Sequence, residues 1–355
     1  MKENPRRFLA DIINSISPSG YEGGAADVWK KEALSFTDMV ETDVHGNTHA
    51  VLNRGGKVKV MLAGHCDEIG FLVTHIDDKG FLWISEIGGW DPQIIQGQRV
   101  VIKGRKGLVR GVMGKTPVHY QKADERKKVY EVSDIWVDIG ARKQKEAEEF
   151  VSIGDPLVVD HDYLEISNNR AVGRGFDDRA GAVAVLEAAR LLKGMKIAAE
   201  VHAVATVQEE IGLRGAKTAA FKIDPVVGIA VDVAGATDHP NVGGGVNQRG
   251  RIDIGKGPVI TRGPNINPAL FDLLVETAHK KKIPVQIVAV SRGTGTDANI
   301  MQLSKSGVAT ALIGIPLRYM HSPCELLSLE DLDNVSMLLA YTVAAINEKT
   351  NFVPF

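Results

Sequence analysis

The chain has 355 residues, of which 44% are hydrophobic and 24% are charged, and its formal net charge is −2. This length and composition are typical of a globular protein with a large core and one to three domains. Because there is no excess of Lys and Arg to neutralise phosphates, the composition argues against nucleic acids and anionic membranes as partners.

The N-terminal segment "MKENPRRFLADIINSI" has no long apolar core and no small-residue cleavage site, so we do not expect a signal peptide. Its apolar residues instead form one stripe at helical spacing, which predicts an amphipathic helix carrying Phe8, Leu9, Ile12, Ile13 and Ile16. No apolar run reaches the ~18 residues that a membrane-spanning helix needs. The two cysteines are too few for a disulfide framework, which favours a reducing, cytoplasmic location.

Strands and helices alternate at both ends of the sequence. "KVKVMLAGH" (57–65) predicts a buried strand, and "DDRAGAVAVLEAARLLKG" (177–194) predicts a helix that a glycine ends. Further apolar strands follow, and a long final helix begins at Ser328, with Asp331 as its capping-box-like partner. This pattern predicts an α/β fold with a mostly parallel or mixed sheet covered by helices on both faces.

The middle of the chain has a different pattern. From about Ile69 to Pro156, short strands are separated by Gly, Asp and Lys turns, with few convincing helices. This predicts a small all-β barrel or sandwich inserted into the α/β domain. We therefore expect a discontinuous catalytic domain at residues 1–67 and 165–355 and an inserted β domain at residues 68–164.

Polar residues follow several predicted strands at the point where each strand ends. The motifs are "GHCDEIG", "GFDDRAG", "QEEIG", "VDVAG" and "MHSPCE". Ligands of open α/β sheets bind outside the carboxyl ends of the strands, so these residues are expected to meet there. Any one of them alone is more often a cap or a satisfied polar group. Together, their imidazoles and carboxylates form a set that suits Zn, Co or Mn.

The size of this set favours two metal ions over one. Two histidines and three carboxylates crowded together without cations would face like-charge repulsion and desolvation. A mononuclear zinc site needs only about three protein ligands. Two divalent ions roughly 3.5–4 Å apart, bridged by one carboxylate, would cancel the charge and hold a hydroxide between them.

The five motifs, in this order and with a β domain inserted after the first, resemble the glutamyl-aminopeptidase or TET-type family of dinuclear metallo-aminopeptidases. The resemblance runs from "SPSGYEG" near the start to "HSPCELLSLEDL" near the end. It implies hydrolysis of the N-terminal residue of peptides with two divalent ions per subunit, Zn or Co and alternatively Mn. It also implies a homo-oligomer, often a tetrahedral dodecamer, in which the inserted domain makes contacts.

The resemblance implies a role for each motif residue. It assigns Glu209 as the general base, which takes a proton from the metal-bridging water, and Asp67 as the carboxylate that orients His65. Asp177 is preferred over Asp178 as the bridging carboxylate by analogy with related dinuclear peptidases, because spacing alone does not separate neighbours. The full set of implied metal ligands is His65, Asp177, Glu210, Asp232 and His321.

Several residues outside this set carry further expectations. Glu68 is expected to support the site rather than to bind metal, and His119 in the inserted domain is a candidate for touching substrate. Strand alternation should turn Cys66 away from His65, and we expect both cysteines to be inert buried thiols. In "RGTGTDAN", Thr296 and Asp297 either line the substrate pocket or cap a helix.

The substrate preference stays open at this level. Arg292 or Arg249 could favour an acidic N-terminal residue, but an acidic or an apolar pocket fits the sequence equally. Among other functions, a carboxypeptidase or deacylase of the same superfold would share the ligands. Some relatives carry an endoglucanase label, although inverting glycosidases need two carboxylic acids that flank a sugar. A metal-free, non-catalytic scaffold is a further alternative, against which Glu209 and the five intact ligands argue.

Overall fold

The computed structural model describes residues 1–240, 242 and 250–354. The helices are α1 (Glu3–Asn14), α2 (Gly23–Leu34), α3 (Pro92–Ile95), α4 (Gln144–Ala147), α5 (Phe176–Lys193), α6 (Arg214–Ile223), α7 (Pro268–Lys281), α8 (Asp297–Met301) and α9 (Leu329–Ala345). The strands are β1 (Val40–Thr42), β2 (Thr48–Leu52), β3 (Lys59–His65), β4 (Gly70–Ile76), β5 (Leu82–Ile87), β6 (Arg99–Gly104), β7 (Gly107–Gly114), β8 (Trp136–Asp138), β9 (Pro156–Val159), β10 (Leu164–Ile166), β11 (Arg170–Gly173), β12 (Glu200–Thr206), β13 (Val227–Gly235), β14 (Val259–Arg262), β15 (Gln286–Ala289), β16 (Ala309–Arg318) and β17 (Glu325–Ser328).

A large mixed sheet forms the centre of the molecule. Its strand order is β1-β2-β12-β3-β13-β16-β17-β11-β10, and β14 joins β15 to the sheet through β16. The central strands β12, β3, β13 and β16 run parallel. The outer strands pair antiparallel, except that β14 and β15 run parallel to each other. The central strands are buried along almost their whole length, as expected for a sheet that helices cover. The predicted α/β class with a mixed sheet is confirmed.

Helix α5 crosses this sheet at very close range because two glycines meet. A Cβ added to Gly64 on β3 would lie 2.4 Å from the backbone carbon of Gly181 on α5, so neither position has room for a side chain. The close approach brings the N-terminal end of α5 against the carboxyl end of β3. As a result, the "FDDR" segment lies next to His65.

The inserted segment folds as a closed antiparallel barrel in the order β4-β5-β8-β7-β6-β9. It has its own apolar core, which includes Phe71, Ile102, Val137 and Leu157. The predicted small β barrel is therefore confirmed. The barrel strands span Gly70–Val159, and the domain limits of 68 and 164 stay a prediction.

Two local expectations have different outcomes. Helix α1 buries Phe8, Leu9, Ile12 and Ile13, as the apolar stripe predicted, but it ends at Asn14, so that Ile16 lies outside the helix and is half-buried. The capping box at the last helix is wrong, because the Asp331 carboxylate accepts hydrogen bonds from the backbone N–H groups of residues 255 and 257, at 2.6 and 2.7 Å. Ser328 alone caps α9, so a long-range partner has replaced the local one. In the described part of the chain, no helix is long and apolar enough to cross a membrane.

Candidate metal centre

The motif residues meet at the carboxyl ends of three neighbouring central strands and at the elements beside them. His65 is the last residue of β3, and Asp232 lies on the adjacent strand β13. Glu209 and Glu210 follow β12 on the other side of β3, while His321 follows β16. Parallel strands end at the same edge of a sheet, so residues far apart in sequence share one small volume.

Asp177 lies between the two imidazoles. Its Oδ1 is 3.3 Å from Nε2 of His65, and its Oδ2 is 3.2 Å from Nε2 of His321. Asp178 points elsewhere, since its carboxylate accepts the backbone N–H groups of His65, at 3.2 Å, and of Gly181, at 3.1 Å. A break in helical geometry separates the two neighbours, with ψ of 106° at Asp177. This arrangement supports Asp177 as the shared carboxylate.

The adjacent glutamates face different partners. Oε1 of Glu210 lies 3.4 Å from Nε2 of His321, and Oε2 of Glu209 lies 3.8 Å from Nε2 of His65. Among the described residues, two sets have ligand atoms within 4.8 Å of one another: His65, Glu209 and Asp232, and His65, Asp177 and Glu210. Glu209 is therefore close enough either to bind an ion or to act beside one.

The charges in this cluster are unbalanced without cations. Burial, together with the nearby Asp232 and other carboxylates, raises the pKa of Glu209 to about 10. Burial and the Asp177 charge raise the pKa of Asp232 well above its usual range. Hydrogen bonds to Asp177 and Glu210 raise the pKa of His321 to about 11. Although burial alone lowers the pKa of His65, the carboxylates around it raise it well above its usual value.

The residues present fit divalent metal ions. Oε1 of Glu210 is buried, and its contact with Nε2 of His321, at 3.4 Å, does not meet hydrogen-bond geometry, which leaves the oxygen available to a metal ion. Imidazole nitrogens and carboxylate oxygens are the donors that zinc and similar ions take. Cations would also remove the repulsion that the raised pKa values of the carboxylates report.

Asp67 organises the backbone of the glutamate pair. Its oxygens accept hydrogen bonds from the N–H groups of Glu209, at 3.1 Å, and Glu210, at 3.2 Å, and from the hydroxyl of Ser19, at 2.6 Å. Nδ1 of His65 hydrogen-bonds the backbone carbonyl of Asp67, at 3.1 Å, and lies 3.4 Å from its Oδ1, so both parts of Asp67 face the imidazole, as expected for the orienting role that the resemblance implies. A single fully buried carboxylate thus connects a candidate ligand, the candidate base and the histidine.

Two supporting glutamates were missed at the sequence level. Glu22 accepts the backbone N–H of Gln208, the residue just before the glutamate pair, at 3.1 Å. Burial, and to a smaller extent the charge of Asp67, raises the pKa of Glu22 to about 7. Glu325 accepts the N–H groups of Asp177 and His321. Glu325 does lie in the "MHSPCE" motif, but nothing in the sequence shows where its side chain points.

The inserted domain also approaches the site through a glycine pair that the sequence analysis did not single out. A Cβ added to Gly89 would lie 3.5 Å from Nδ1 of His321, and one added to Gly88 would lie 3.4 Å from Oε2 of Glu210. The loop after β5 therefore lies directly beside two candidate ligands, at a distance where an added Cβ would make van der Waals contact with each of them.

Glu68 points away from the cluster, in agreement with a supporting role. It is buried and pairs with Arg174 and with Arg179, whose Nη2 is 3.0 Å from Oε2 of Glu68. Both arginines also bond to backbone carbonyls of the segment after α1. This ion-pair network joins the first two motifs to the N-terminal helix.

The expectation for the cysteines holds for one of them. Cys66 is fully buried, and burial raises the pKa of its thiol well above the usual range. Cys324 is exposed, so the expectation of two buried thiols is wrong. It lies in the turn between β16 and β17, where strand alternation no longer applies, and its Sγ is 3.7 Å from Nδ1 of His161.

The "RGTGTDAN" segment borders a cavity of about 450 Å³ beside β13, which Val233, Arg292, Thr294 and Thr296 help to line. Thr296 both borders this cavity and is the N-cap residue of α8, although its hydroxyl bonds that of Thr294, at 2.8 Å, and makes no capping hydrogen bond. Asp297 is buried and accepts the Thr206 hydroxyl at 2.6 Å. Arg249 lies outside the described residues, and His119 is exposed on the barrel.

Known proteins share this fold and sequence over nearly the whole chain. A profile of the M42 glutamyl aminopeptidase family matches residues 46–338. A protein of Pyrococcus furiosus named lysyl aminopeptidase is 42% identical over 93% of this chain and 94% of its own. The crystal structure of a TET aminopeptidase from a marine-sediment Thaumarchaeota archaeon matches with a TM-score of 0.93 and 35% identity, covering 98% of each chain.

The structure of a Pyrococcus horikoshii TET1 peptidase matches with a TM-score of 0.84 and 30% identity, covering 96% of this chain and 100% of its own. That peptidase is described as assembling into a tetrahedron or a large octahedral shell. With the profile match, these similarities show that the chain belongs to the M42 glutamyl aminopeptidase family and is a peptide hydrolase of the aminopeptidase type.

Proposed function

We propose that this M42 family member removes the N-terminal residue of peptides at a dinuclear metal site, with Glu209 as general base. The observation that carries the proposal is the position of Asp177, whose two carboxylate oxygens face two different imidazoles at 3.3 and 3.2 Å. A carboxylate shared in this way is what a pair of neighbouring divalent ions requires.

The residues divide into two ligand groups that share Asp177. We assign His65 and Asp232 to one ion and Glu210 and His321 to the other, because Glu210 and His321 lie together at 3.4 Å. Zn or Co fits this set best, and Mn is an alternative. When bound, such ions would polarise the scissile carbonyl. They would also lower the pKa of a water molecule, so that its deprotonated form can attack that carbonyl.

Glu209 supplies the proton transfers. Its side chain is largely buried next to His65, and its Oε2 lies 3.8 Å from Nε2 of that residue, beside the proposed ion rather than on the far side of the cluster. Burial and the neighbouring carboxylates raise the pKa of Glu209 in the metal-free cluster, and bound cations would lower it again, so that the carboxylate can accept a proton. In the proposed reaction it takes a proton from the attacking water and later delivers it to the leaving amine. The Asp67 carboxylate keeps Glu209 in place by accepting the backbone N–H of Glu209.

We attribute selectivity for a free N-terminus to the same cluster. A substrate α-amine would bind the second metal or be attracted by a nearby carboxylate such as Glu210 or Asp232. The loop of Gly88 and Gly89 lies beside Glu210 and His321. The side chain of the substrate's N-terminal residue would enter the cavity that Arg292 and Thr294 border. Rates with different aminoacyl groups would show whether this cavity prefers an acidic, a basic or an apolar side chain.

We further propose that the protein is a cytoplasmic homo-oligomer, with a tetrahedral dodecamer as the specific expectation. The TET1 relative described as a tetrahedron supports this. The inserted domain, residues 68–164, carries exposed apolar side chains suited to subunit contacts, among them Leu108, Val112, Phe150 and Ile153. Light scattering after size exclusion would give the subunit number, and a monomer at micromolar concentration would contradict the proposal.

A panel of aminoacyl-p-nitroanilides tests the activity. The protein is stripped with a chelator, and Zn, Co or Mn is then restored. We expect release of nitroaniline only with metal and only from substrates with a free amine. Release of the acyl group from N-acylated amino acids, followed by chromatography, would instead favour the deacylase alternative, and no metal-dependent hydrolysis of any substrate would favour a non-catalytic scaffold.

A further inference from the structure

We infer that Glu325 is a positioning residue that sets the distance between Asp177 and His321, and so holds together the ligands of one ion. The inference rests on the proposed dinuclear site and adds a residue that does not itself face an ion. Glu325 begins β17, and in the sheet it lies opposite Gly173 on β11, two residues before the turn into α5. Its side chain is 1% exposed.

Each oxygen of the Glu325 carboxylate holds a different ligand backbone. Oε2 accepts the N–H of Asp177 at 3.1 Å, and Oε1 accepts the N–H of His321 at 2.9 Å. The two ligands come from elements 144 positions apart in the chain (321 − 177). A single rigid carboxylate therefore fixes their backbones relative to each other.

Both backbone groups need such an acceptor. Asp177 has ψ of 106°, so the first turn of α5 is not regular at this position. His321 has φ of 58°, a left-handed conformation that is uncommon for a residue with a side chain and persists only when its surroundings hold it. Without Glu325, the His321 backbone would be free to relax towards an ordinary conformation and to turn its imidazole away from Asp177.

Glu325 is distinct from the ligands themselves. Among the described residues it is absent from both sets whose ligand atoms converge. Its two oxygens are already engaged by the two amides. Residues that orient ligands in this way typically change metal affinity by 10–100-fold when they are replaced.

The test is calorimetric titration of the chelator-stripped, full-length protein with Zn²⁺, comparing wild type with Glu325→Gln and Glu325→Ala. We expect wild type to bind two ions per subunit. Both variants should bind one of the two ions roughly 10–100-fold more weakly. The matched control is Glu330→Gln, which removes the same charge from an exposed position five residues away and should leave both affinities unchanged.

Far-UV circular dichroism and size exclusion accompany each titration. If Glu325→Ala does not fold, Glu325→Gln still decides, because it keeps the side-chain volume and loses only one of the two acceptors. Two ions bound by a folded Glu325→Gln protein with wild-type affinity would overturn the inference. If wild type itself bound fewer than two ions, the dinuclear proposal would fail first, so the two failures are distinguishable.

Discussion

Replacing Glu209 with Gln separates the two roles that its position permits. Gln has nearly the same size and cannot take up a proton at neutral pH. The backbone of residue 209 is held by Asp67 at 3.1 Å, independently of the side chain, so the substitution should leave the main chain in place. The nearest imidazole nitrogen, Nε2 of His65, is 3.8 Å from Oε2 of Glu209, which is beyond hydrogen-bond distance, so no strong contact is lost.

The expected loss is therefore confined to the chemical step. General acid–base catalysis contributes about 10²–10⁴-fold to a rate. This range corresponds to about 2.7–5.4 kcal/mol of transition-state stabilisation. We expect kcat of Glu209→Gln to fall by this factor, KM to change little and both metal ions to remain bound.

Steady-state kinetics on the best p-nitroanilide substrate, with elemental analysis of bound metal, measure these quantities. Glu210→Gln is the matched comparison, since it removes a carboxylate from the next residue in the chain. We expect it to lose metal at the site that His321 shares. Residual kcat near wild type in Glu209→Gln would refute the role as base. A lost ion in Glu209→Gln would instead make Glu209 a ligand.

Metal binding should release protons, because the pKa values of His65 and His321 are raised in the metal-free protein, which leaves both imidazoles charged at neutral pH. Affinity should consequently fall as pH falls, and calorimetry in buffers of different ionisation enthalpy should show proton release from the two imidazoles and from Asp232, whose pKa is also raised; no release would contradict the assignment of these residues as ligands. Gly181→Ala would place a Cβ 2.3 Å from the carboxylate of Asp178. We therefore expect urea denaturation to show that the free energy of unfolding falls by about 1–3 kcal/mol or more. Gly23→Ala, in helix α2 with open space around it, is the control and should lose nothing. Glu68→Ala would leave two buried arginines without their carboxylate, and a loss of about 3–5 kcal/mol in unfolding free energy is expected; stability equal to wild type would show that water or the backbone replaces it.

Some features of this fold follow from local sequence patterns, and others depend on contacts between distant elements. Motifs at strand ends predicted which side chains would meet, because parallel strands bring their carboxyl ends to one edge of the sheet regardless of the loops that connect them. Short strands between Gly and Asp turns likewise predicted the β barrel. The local capping pattern at Asp331 failed because a loop from elsewhere in the chain supplied two better-placed N–H donors.

The sequence by itself determined the α/β architecture, the inserted barrel and the donor types at the site, since these follow from periodicity, turn chemistry and residue identity. Only the tertiary structure distinguished Asp177 from Asp178, because a break in the backbone turns neighbouring carboxylates in different directions. It alone revealed Glu325, whose partner Asp177 is 148 positions away in the chain, and the exposure of Cys324. Which way a side chain points, and which distant backbone group it meets, is decided by packing across elements and leaves no periodic trace in the sequence.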